Sequence, residues 1–281
     1  MKSGVLWKPQ CRIQKNMGVL ERENLLPGSW RKVMIAILSP AKNMRPVVRE
    51  NLALSRPRYL EQTSRLAEIL KGYDAWELES LMKVNPELGM KAYWDFQDFC
   101  LEAPGTAAVL SYHGLAYQHL AAQDFTLEDL AFANDHLRIL SGFYGVLRAC
   151  DGILPYRLEM QCKLKIDEKN LYGFWGDRLY QDLFSSKQPV INLASAEYSK
   201  AISPYVQRED RWITCQFLAN RGGKWKAIAT DSKMARGEMV RYLIQNRLEQ
   251  PEELQEFTWE GYRFAPLRSD DANYVFAREY E

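Results

Sequence analysis

Two basic side chains one helical turn apart, Lys233 and Arg236, are followed directly by Gly237 in the segment KMARGEMVRYLIQNRL. The apolar spacing of this segment predicts a helix over 233–247, capped by Ser232 or Asp231. The amides and dipole at a helix N-terminus favour an anion, and a glycine lets a bulky group approach the backbone. The segment therefore predicts an anion or phosphate site, with a solvated basic turn as the alternative.

A second segment with chemical content is LSGFYGVL, in which two glycines lie three residues apart between apolar runs. A glycine turn between two helices exposes backbone amides that can bind phosphate oxygens without reading bases. The order apolar, small, glycine, apolar, variable, glycine is that of a helix-hairpin-helix DNA-binding element, and the residues that match it are Leu140, Ser141, Gly142, Phe143, Tyr144 and Gly145. A tight corner between two packed helices is the alternative interpretation.

Further polar groups follow the ends of predicted strands. The turn SPAKN ends a strand predicted over 33–38 and brings Lys42 to the surface beyond the carboxyl end of that strand. Tyr117 follows a second strand, predicted over 107–113. Ligands of sheet proteins tend to bind at such strand ends, so both side chains are candidates for a binding site.

Other classes of site find little support in the sequence. No nucleophile elbow, Walker loop, G-x-G-x-x-G turn after a strand or H-E-x-x-H helix occurs. The five cysteines form no C-x-x-C pair and the three histidines have no helical metal-site spacing, so neither a disulfide framework, a metal site nor a cofactor is predicted. Glu159 and Asp177 could act as an acid–base pair, with structural ion pairs as the alternative.

Composition indicates an ordinary globular protein, because 281 residues that are 47% hydrophobic can bury a substantial core. The chain has neither an apolar run long enough for a membrane span nor the apolar segment of a secretory signal, which predicts a cytoplasmic location without membrane contact. The net charge of +1 conceals a basic segment, residues 221–247, with seven basic and two acidic side chains. That segment keeps a nucleic-acid partner open.

The first 33 residues differ from the rest of the chain. They carry seven basic and two acidic side chains without sustained periodicity, and the β-rich run MIAILS begins at Met34. We interpret residues 1–33 as a loosely held, disordered N-terminal extension or an over-called translation start, and residues 34–281 as the folded domain. An arm packed through Trp7 and Trp30 is the alternative.

The succession of elements predicts an α+β fold, a single compact domain with a mixed β-sheet and surrounding helices, which contains the helix-hairpin-helix element. No internal repeat or Gly/Ser linker divides it. Strands are predicted over 33–38, 107–113, 189–194, 211–219 and 225–230. Helices are predicted over 59–71, 74–83, 86–98, 126–140 and 233–247.

Seven segments follow one another along the chain: LSPAK at 38–42, HLRILSGFYGVLR at 136–148, PYRLEM at 155–160, LYGFWGD at 171–177, INLASAEY at 191–198, KMARGEMVRYLIQNRL at 233–248 and EGYRF at 260–264. Together they closely resemble the YaaA family of bacterial peroxide-stress proteins. The resemblance extends over residues 34–278 and agrees with a domain that begins at Met34. Seven motifs in a fixed order make a chance similarity very improbable.

The resemblance implies a cytoplasmic protein made during hydrogen peroxide stress, which keeps unincorporated iron low and so limits oxidative damage. It also implies a compact α+β protein that binds duplex or branched DNA non-specifically through a helix-hairpin-helix and a basic cleft. The hairpin would be residues 140–145. Motif position and charge select the other DNA- or anion-binding residues, which are Lys42, Arg148, Arg157, Lys233, Arg236 and Gly237.

Two short segments depart from the family pattern. A K-G-D-x-Y-like segment is HGLAY at residues 113–117, without its basic and acidic groups, which puts a role of that loop in binding or catalysis in doubt. An L-R-P-like segment is LRA at residues 147–149.

We favour a DNA-binding protein over an enzyme. The alternative is an enzyme of unassigned reaction with a pocket for a small phosphate or carboxylate ligand. Its pocket would be formed around strand ends by Lys42, Tyr117, Arg157, Glu159, Lys233 and Arg236. A narrow enclosed pocket would favour this alternative, and an open basic groove as wide as a duplex would favour DNA. Direct iron binding by the protein lacks a cluster of ligands.

Overall fold

The structure, a computed structural model, describes residues 34–279. The prediction about residues 1–33 concerns a segment outside the described residues, and it stays a prediction. The described strands are β1 (Ile35–Leu38), β2 (Asn43–Met44), β3 (Thr106–Ala107), β4 (Tyr112–His113), β5 (Leu137–Ser141), β6 (Gly145–Arg148), β7 (Gly152–Ile153), β8 (Val190–Leu193), β9 (Trp212–Arg221), β10 (Lys224–Lys226), β11 (Arg263–Phe264) and β12 (Asn273–Glu279).

Helices lie between most of these strands. They are α1 (Leu60–Lys71), α2 (Ala75–Met82), α3 (Pro86–Gln97), α4 (Ala108–Ser111), α5 (Leu115–Leu120), α6 (Leu127–His136), α7 (Leu171–Trp175), α8 (Arg178–Phe184), α9 (Ala196–Ser199) and α10 (Ala229–Gln245). Side-chain caps fix several helix starts as predicted. Asp74 caps α2, and Thr126 with Asp129 forms a capping box on α6.

One mixed sheet of eight strands organises the fold, in the order β11-β12-β9-β8-β1-β5-β6 with β10 paired to β9. The neighbours from β12 to β5 are parallel, whereas β6, β10 and β11 are antiparallel to their partners. The two central strands β1 and β8 are buried at every residue, which explains why they read as continuous apolar runs in the sequence. The predicted α+β fold with a mixed sheet is confirmed.

The helix-hairpin-helix prediction is wrong, because residues 137–148 form a β-hairpin. Helix α6 ends at His136, and the chain enters β5 without a break. Strand β5 pairs with β1 on one side and with β6 on the other. The apolar residues of this stretch suit a helix or a buried strand equally well, and pairing with the central strand β1 decides between the two.

Two other elements also differ from the prediction. The strand expected over 107–113 is instead β3, α4 and β4, so a turn of helix separates two very short strands. Helix α10 begins at Ala229, inside the strand predicted over 225–230, and Ile228 precedes it without a side-chain cap. Within the described residues, no helix combines the length and apolar character that a membrane crossing requires.

Candidate functional site

A cavity of about 330 Å³ lies where the central strands β1 and β8 end. Five separate segments line it: the turn after β1, the segment from β4 into α5, residues 156–159, the start of α9 and one face of α10. Because β1 and β8 are parallel and in register from Ile35 to Leu38, their carboxyl ends meet at one edge of the sheet. This is the edge at which ligands of α/β sheets bind.

Ser39, directly after β1, and Ser195, two residues after the end of β8, both line the cavity. Ser39 Oγ accepts a hydrogen bond from the Ser195 backbone N–H at 2.8 Å and donates one to Ser195 Oγ at 3.2 Å. Tyr117 Oη donates to the Ser39 carbonyl oxygen at 2.9 Å. The two strand ends and helix α5 are therefore held together by polar contacts at the cavity.

One wall of the cavity carries a small ionic network. Lys42 Nζ lies 2.7 Å from Glu159 Oε2, and Arg157 Nη2 lies 3.5 Å from Glu159 Oε1. Arg157 Nη1 also donates to the Lys42 carbonyl oxygen at 3.4 Å, whereas the buried Arg157 Nε has no hydrogen-bond partner among the described residues. Glu159 therefore neutralises part of the positive charge on this wall.

Helix α10 contributes two further cations to the lining of the cavity, Lys233 and Arg236. Lys233 is exposed and Arg236 is partly buried, and neither forms a hydrogen bond or ion pair with the described residues. Burial lowers the pKa of Arg236, and only an ionised Cys215 would oppose that shift. Burial also raises the pKa of Cys215 to about 12, so this thiol is neutral at physiological pH and supplies no counter-charge.

Behind the cavity, three hydroxyl groups form a chain of hydrogen bonds. Tyr156 Oη lies 2.7 Å from Ser141 Oγ and 2.7 Å from Tyr112 Oη. Tyr156 lines the cavity, whereas Tyr112 and Ser141 lie deeper in the protein. Burial raises the pKa of Tyr156 to about 12, while the hydrogen bonds from Ser141 and Tyr112 oppose that shift.

Glu197 is the second carboxylate of the cavity. Its Oε1 accepts a hydrogen bond from the Gln161 backbone N–H at 3.0 Å. Burial, with a further contribution from the nearby Glu159, raises the pKa of Glu197. A carboxylate whose neutral form is favoured in this way is a candidate proton donor or acceptor.

A second cavity of about 260 Å³ adjoins the first. The two share Lys42, Arg157 and Glu159, so the ionic network forms their common wall. The second cavity adds two exposed lysines, Lys83 and Lys163. The basic surface therefore continues beyond the first cavity.

Six residues predicted from the sequence for a binding site meet in this cavity: Lys42, Tyr117, Arg157, Glu159, Lys233 and Arg236. Arg148 does not belong to the group, because it lies exposed at the end of β6 and lines neither cavity. Gly237 lies beside the cavity residues for a packing reason. A Cβ atom at position 237 would lie 2.0 Å from the Ala116 carbonyl oxygen, so the missing side chain lets α10 approach α5.

The predicted hairpin residues 140–145 are buried around the turn between β5 and β6. The N–H groups of Phe143 and Tyr144 donate to Ser141 Oγ at 3.1 and 2.9 Å, so those amides are already paired inside the protein. Gly142 accepts a hydrogen bond from the Trp175 indole at its carbonyl oxygen. Gly145 has a φ of +77°, and a Cβ atom there would lie 2.8 Å from the Trp175 ring.

Sequence reasoning missed several cavity residues, among them Ser39, Tyr156, Ser195 and Glu197. Two of them carried a signal, since Ser39 follows a buried strand directly and Ser195 follows another. Tyr156 lies in the motif PYRLEM, in which charge selected only Arg157 and Glu159 as site residues. Among residues 34–279, no group of three or more His, Cys, Asp and Glu side chains is arranged to hold a metal ion.

Fold and cavity together define an α+β protein with a cationic cavity at the carboxyl edge of its central parallel strands. Sequence comparison gives the family: the profile described as peroxide stress protein YaaA matches residues 34–267, and the chain belongs to this family. A UPF0246 protein of Clostridioides difficile is 39% identical over 247 residues, which cover 88% of this chain and all of that protein. A UPF0246 protein of Pediococcus pentosaceus is 43% identical over 240 residues, covering 85% of this chain and 96% of the relative.

Proposed function

We propose that this peroxide-stress protein binds a small ligand with a phosphate or carboxylate group in the cavity between β1, β8 and α10. One observation carries the proposal. Arg236 places a partly buried guanidinium against the cavity without a hydrogen bond or ion pair from the described residues. Guanidinium groups removed from water are normally paired, so a bound anion is the partner that this arrangement lacks.

The balance of charge in the cavity supports an anionic ligand. Its lining contains four cations, which are Lys42, Arg157, Lys233 and Arg236, against the two carboxylates of Glu159 and Glu197. The lining therefore has an excess of two positive charges, and low-dielectric walls strengthen the attraction. Arginine also matches the oxygens of phosphate and carboxylate by paired hydrogen bonds.

The test is equilibrium binding of inorganic phosphate and pyrophosphate, measured by calorimetry at low salt. Arg236→Gln should weaken binding by about 10- to 100-fold, because it removes charged hydrogen bonds. Arg241→Gln is the matched control on the same helix, since Arg241 lies outside the cavity and donates to the Leu120 and Ala121 carbonyl oxygens. The proposal fails if neither anion binds the unmodified protein, or if the two variants behave alike.

Non-specific DNA binding is the second candidate. It is favoured by the exposed cations at the rim: the side chain of Lys42 is 65% exposed, Lys233 is exposed, and the adjoining cavity adds Lys83 and Lys163. Phosphates of a duplex would contact these rim lysines and leave the interior Arg236 largely untouched. Binding would rest on the cleft alone, since the amides of the β5–β6 turn are paired within the protein.

The salt dependence of DNA affinity distinguishes the second candidate from the first. For duplex DNA, the logarithm of the affinity falls with the logarithm of the salt concentration, and each phosphate contact steepens that fall by about 0.9. The Lys42→Ala, Lys233→Ala double variant should make the salt dependence of DNA affinity less steep, whereas Arg236→Gln should leave it unchanged. Affinity that is absent, or insensitive to salt, would exclude DNA as the partner.

We further propose, following the implication of the family resemblance, that ligand binding helps to limit unincorporated iron under peroxide stress. Cells that carry Arg236→Gln in place of the native chain should then contain more loosely bound iron after peroxide treatment than cells with Arg241→Gln. Electron paramagnetic resonance of chelated ferric iron in whole cells measures this difference. Equal signals in the two strains would show that ligand binding in the cavity does not contribute to limiting iron.

A further inference from the structure

The hydrogen-bond chain behind the cavity fixes the direction in which each hydroxyl proton points. Ser141 Oγ accepts two backbone N–H groups, from Phe143 at 3.1 Å and Tyr144 at 2.9 Å. A hydroxyl oxygen offers two lone pairs, so both are occupied. The Ser141 proton therefore has Tyr156 Oη, 2.7 Å away, as its acceptor.

Tyr112 supplies the second constraint. Its side chain is almost wholly buried, and its hydroxyl has Tyr156 Oη at 2.7 Å as its partner among the described residues. If Tyr156 donated to Tyr112, the Tyr112 proton would be left in the interior without an acceptor. Such an unpaired buried donor is costly, so Tyr112 donates to Tyr156.

Tyr156 thus accepts two hydrogen bonds and keeps one proton that no group of the described chain accepts. Of the three residues in the hydrogen-bond chain, Tyr156 is the one that lines the cavity, so the cavity is the direction left for that proton. We propose that Tyr156 donates this proton in a hydrogen bond to an anionic oxygen of the bound ligand. The inference rests on the proposed function, and it adds a specificity-determining neutral donor to the cationic cavity.

Because hydrogen bonds in a chain polarise one another, the two hydrogen bonds that Tyr156 Oη accepts strengthen the one that it donates. The ligand must then present an unprotonated oxygen to Tyr156 and carry the negative charge that the cationic lining attracts. An oxyanion such as a phosphate ester or a carboxylate meets both requirements. A cationic ligand fails the second requirement.

The first test is affinity for inorganic phosphate and pyrophosphate in the full chain. Tyr156→Phe should weaken binding by about 10- to 100-fold, as expected for a hydrogen bond to a charged group. Tyr144→Phe is the matched control, because Tyr144 is equally buried, packs against the Tyr156 ring and lies outside the cavity. Equal affinities of Tyr156→Phe and the unmodified protein would overturn the inference while leaving the anion site intact.

A second measurement needs neither ligand nor the Tyr156→Phe variant. 3-Fluorotyrosine placed at position 156 reports the pKa of that hydroxyl by ¹⁹F NMR. Tyr112→Phe should raise this pKa, because the phenolate loses a donor. An unchanged or lowered pKa would mean that Tyr112 does not donate to Tyr156, and it would overturn the inference even if phosphate binds. If the pKa is raised but phosphate does not bind, the directions of the hydrogen bonds to Tyr156 stand and the proposed function fails.

Discussion

Ser39 Oγ accepts the backbone N–H of Ser195 at 2.8 Å, which ties together the carboxyl ends of the two central parallel strands. The same hydroxyl donates to Ser195 Oγ at 3.2 Å, so one side chain makes both contacts. Strand ends beyond a sheet are otherwise free to separate, because the ladder of backbone hydrogen bonds stops there. A pair of serines, rather than the sheet itself, therefore holds the two strand ends together at the cavity.

Ser39→Ala should accordingly destabilise the protein more than Ser195→Ala. The first change leaves the partly buried Ser195 N–H without its acceptor and costs about 1–2 kcal/mol of the free energy of unfolding, whereas the second removes only the weaker hydroxyl contact. Urea denaturation of both variants measures the difference. Equal midpoints would show that the serine pair does not hold the strand ends together.

Gly237→Ala should be strongly destabilising, because the added Cβ would lie 2.0 Å from the Ala116 carbonyl oxygen. Helix α10 must then move away from α5, at a cost of about 1–3 kcal/mol or more, and it carries Lys233 and Arg236 with it. The midpoint temperature of thermal unfolding and the affinity for phosphate should both fall. Phosphate affinity that survives the substitution would mean that the position of α10 does not set the geometry of the site.

Gly173→Ala is a suitable control for that substitution. Residue 173 lies in the helix α7, and the nearest atom to an added Cβ is Lys169 Cβ at 3.2 Å, a much longer distance than the 2.0 Å at position 237. Because alanine is favoured over glycine within a helix, the stability should be unchanged or slightly higher. A loss comparable to that of Gly237→Ala would point to a general intolerance of alanine rather than to the α10–α5 contact.

Much of the fold follows from local sequence signals, and the errors have a common physical cause. The buried strand β1 and the capping box of Thr126 and Asp129 are visible in the sequence and confirmed by the structure. The change from α6 to β5 at Leu137 has no such signal, because no glycine or proline interrupts the apolar run. Pairing of Leu137 with Ala36, a hundred residues away in the chain, determines it.

The cavity shows the same division between local and long-range information. Charge and motif position selected Lys42, Arg157, Lys233 and Arg236 from distant segments, and the structure brings them together. The sequence could not separate them from Arg148, because only the register of the sheet shows which strand ends meet. The role of a buried hydroxyl such as that of Tyr156 depends on partners that no spacing rule contains.

Glu159→Gln should raise the affinity for inorganic phosphate by about two- to fivefold at low salt. The carboxylate of Glu159 competes with the ligand for Lys42, 2.7 Å away, and its removal adds one unit of positive charge to the cavity. The gain should shrink as salt increases, because the common wall is partly open to solvent. Calorimetric titration at two ionic strengths measures both effects.

Asp182→Asn is the control for Glu159→Gln. Asp182 forms an ion pair of the same length, 2.7 Å, with Arg58, and neither residue lines the cavity. The variant has the same change in net charge, so it reveals any effect of overall charge on anion binding. If Asp182→Asn raised the affinity as much as Glu159→Gln, competition for Lys42 would be refuted.

Anion affinity should increase as the pH falls through the pKa of Glu197, which burial raises above its ordinary value of 4.5. Protonation removes a negative charge from the cavity, so binding strengthens on the acid side of that pKa. Sulfate is the appropriate probe because its own charge is constant in this range, and Glu197→Gln should remove the Glu197 part of the pH dependence. His113 also lines the cavity, so the comparison is made in a His113→Asn background.

The same raised pKa makes a matching prediction for stability. A carboxyl group with a raised pKa in the folded state favours folding most when it is protonated, and it loses that contribution as the pH rises through the folded-state value. Glu197→Gln should therefore stabilise the ligand-free protein at neutral pH relative to the unmodified chain, and the difference should vanish at pH values below 4.5. Urea denaturation across this interval measures it, and a difference that persists at acid pH would contradict burial of the charge as the cause.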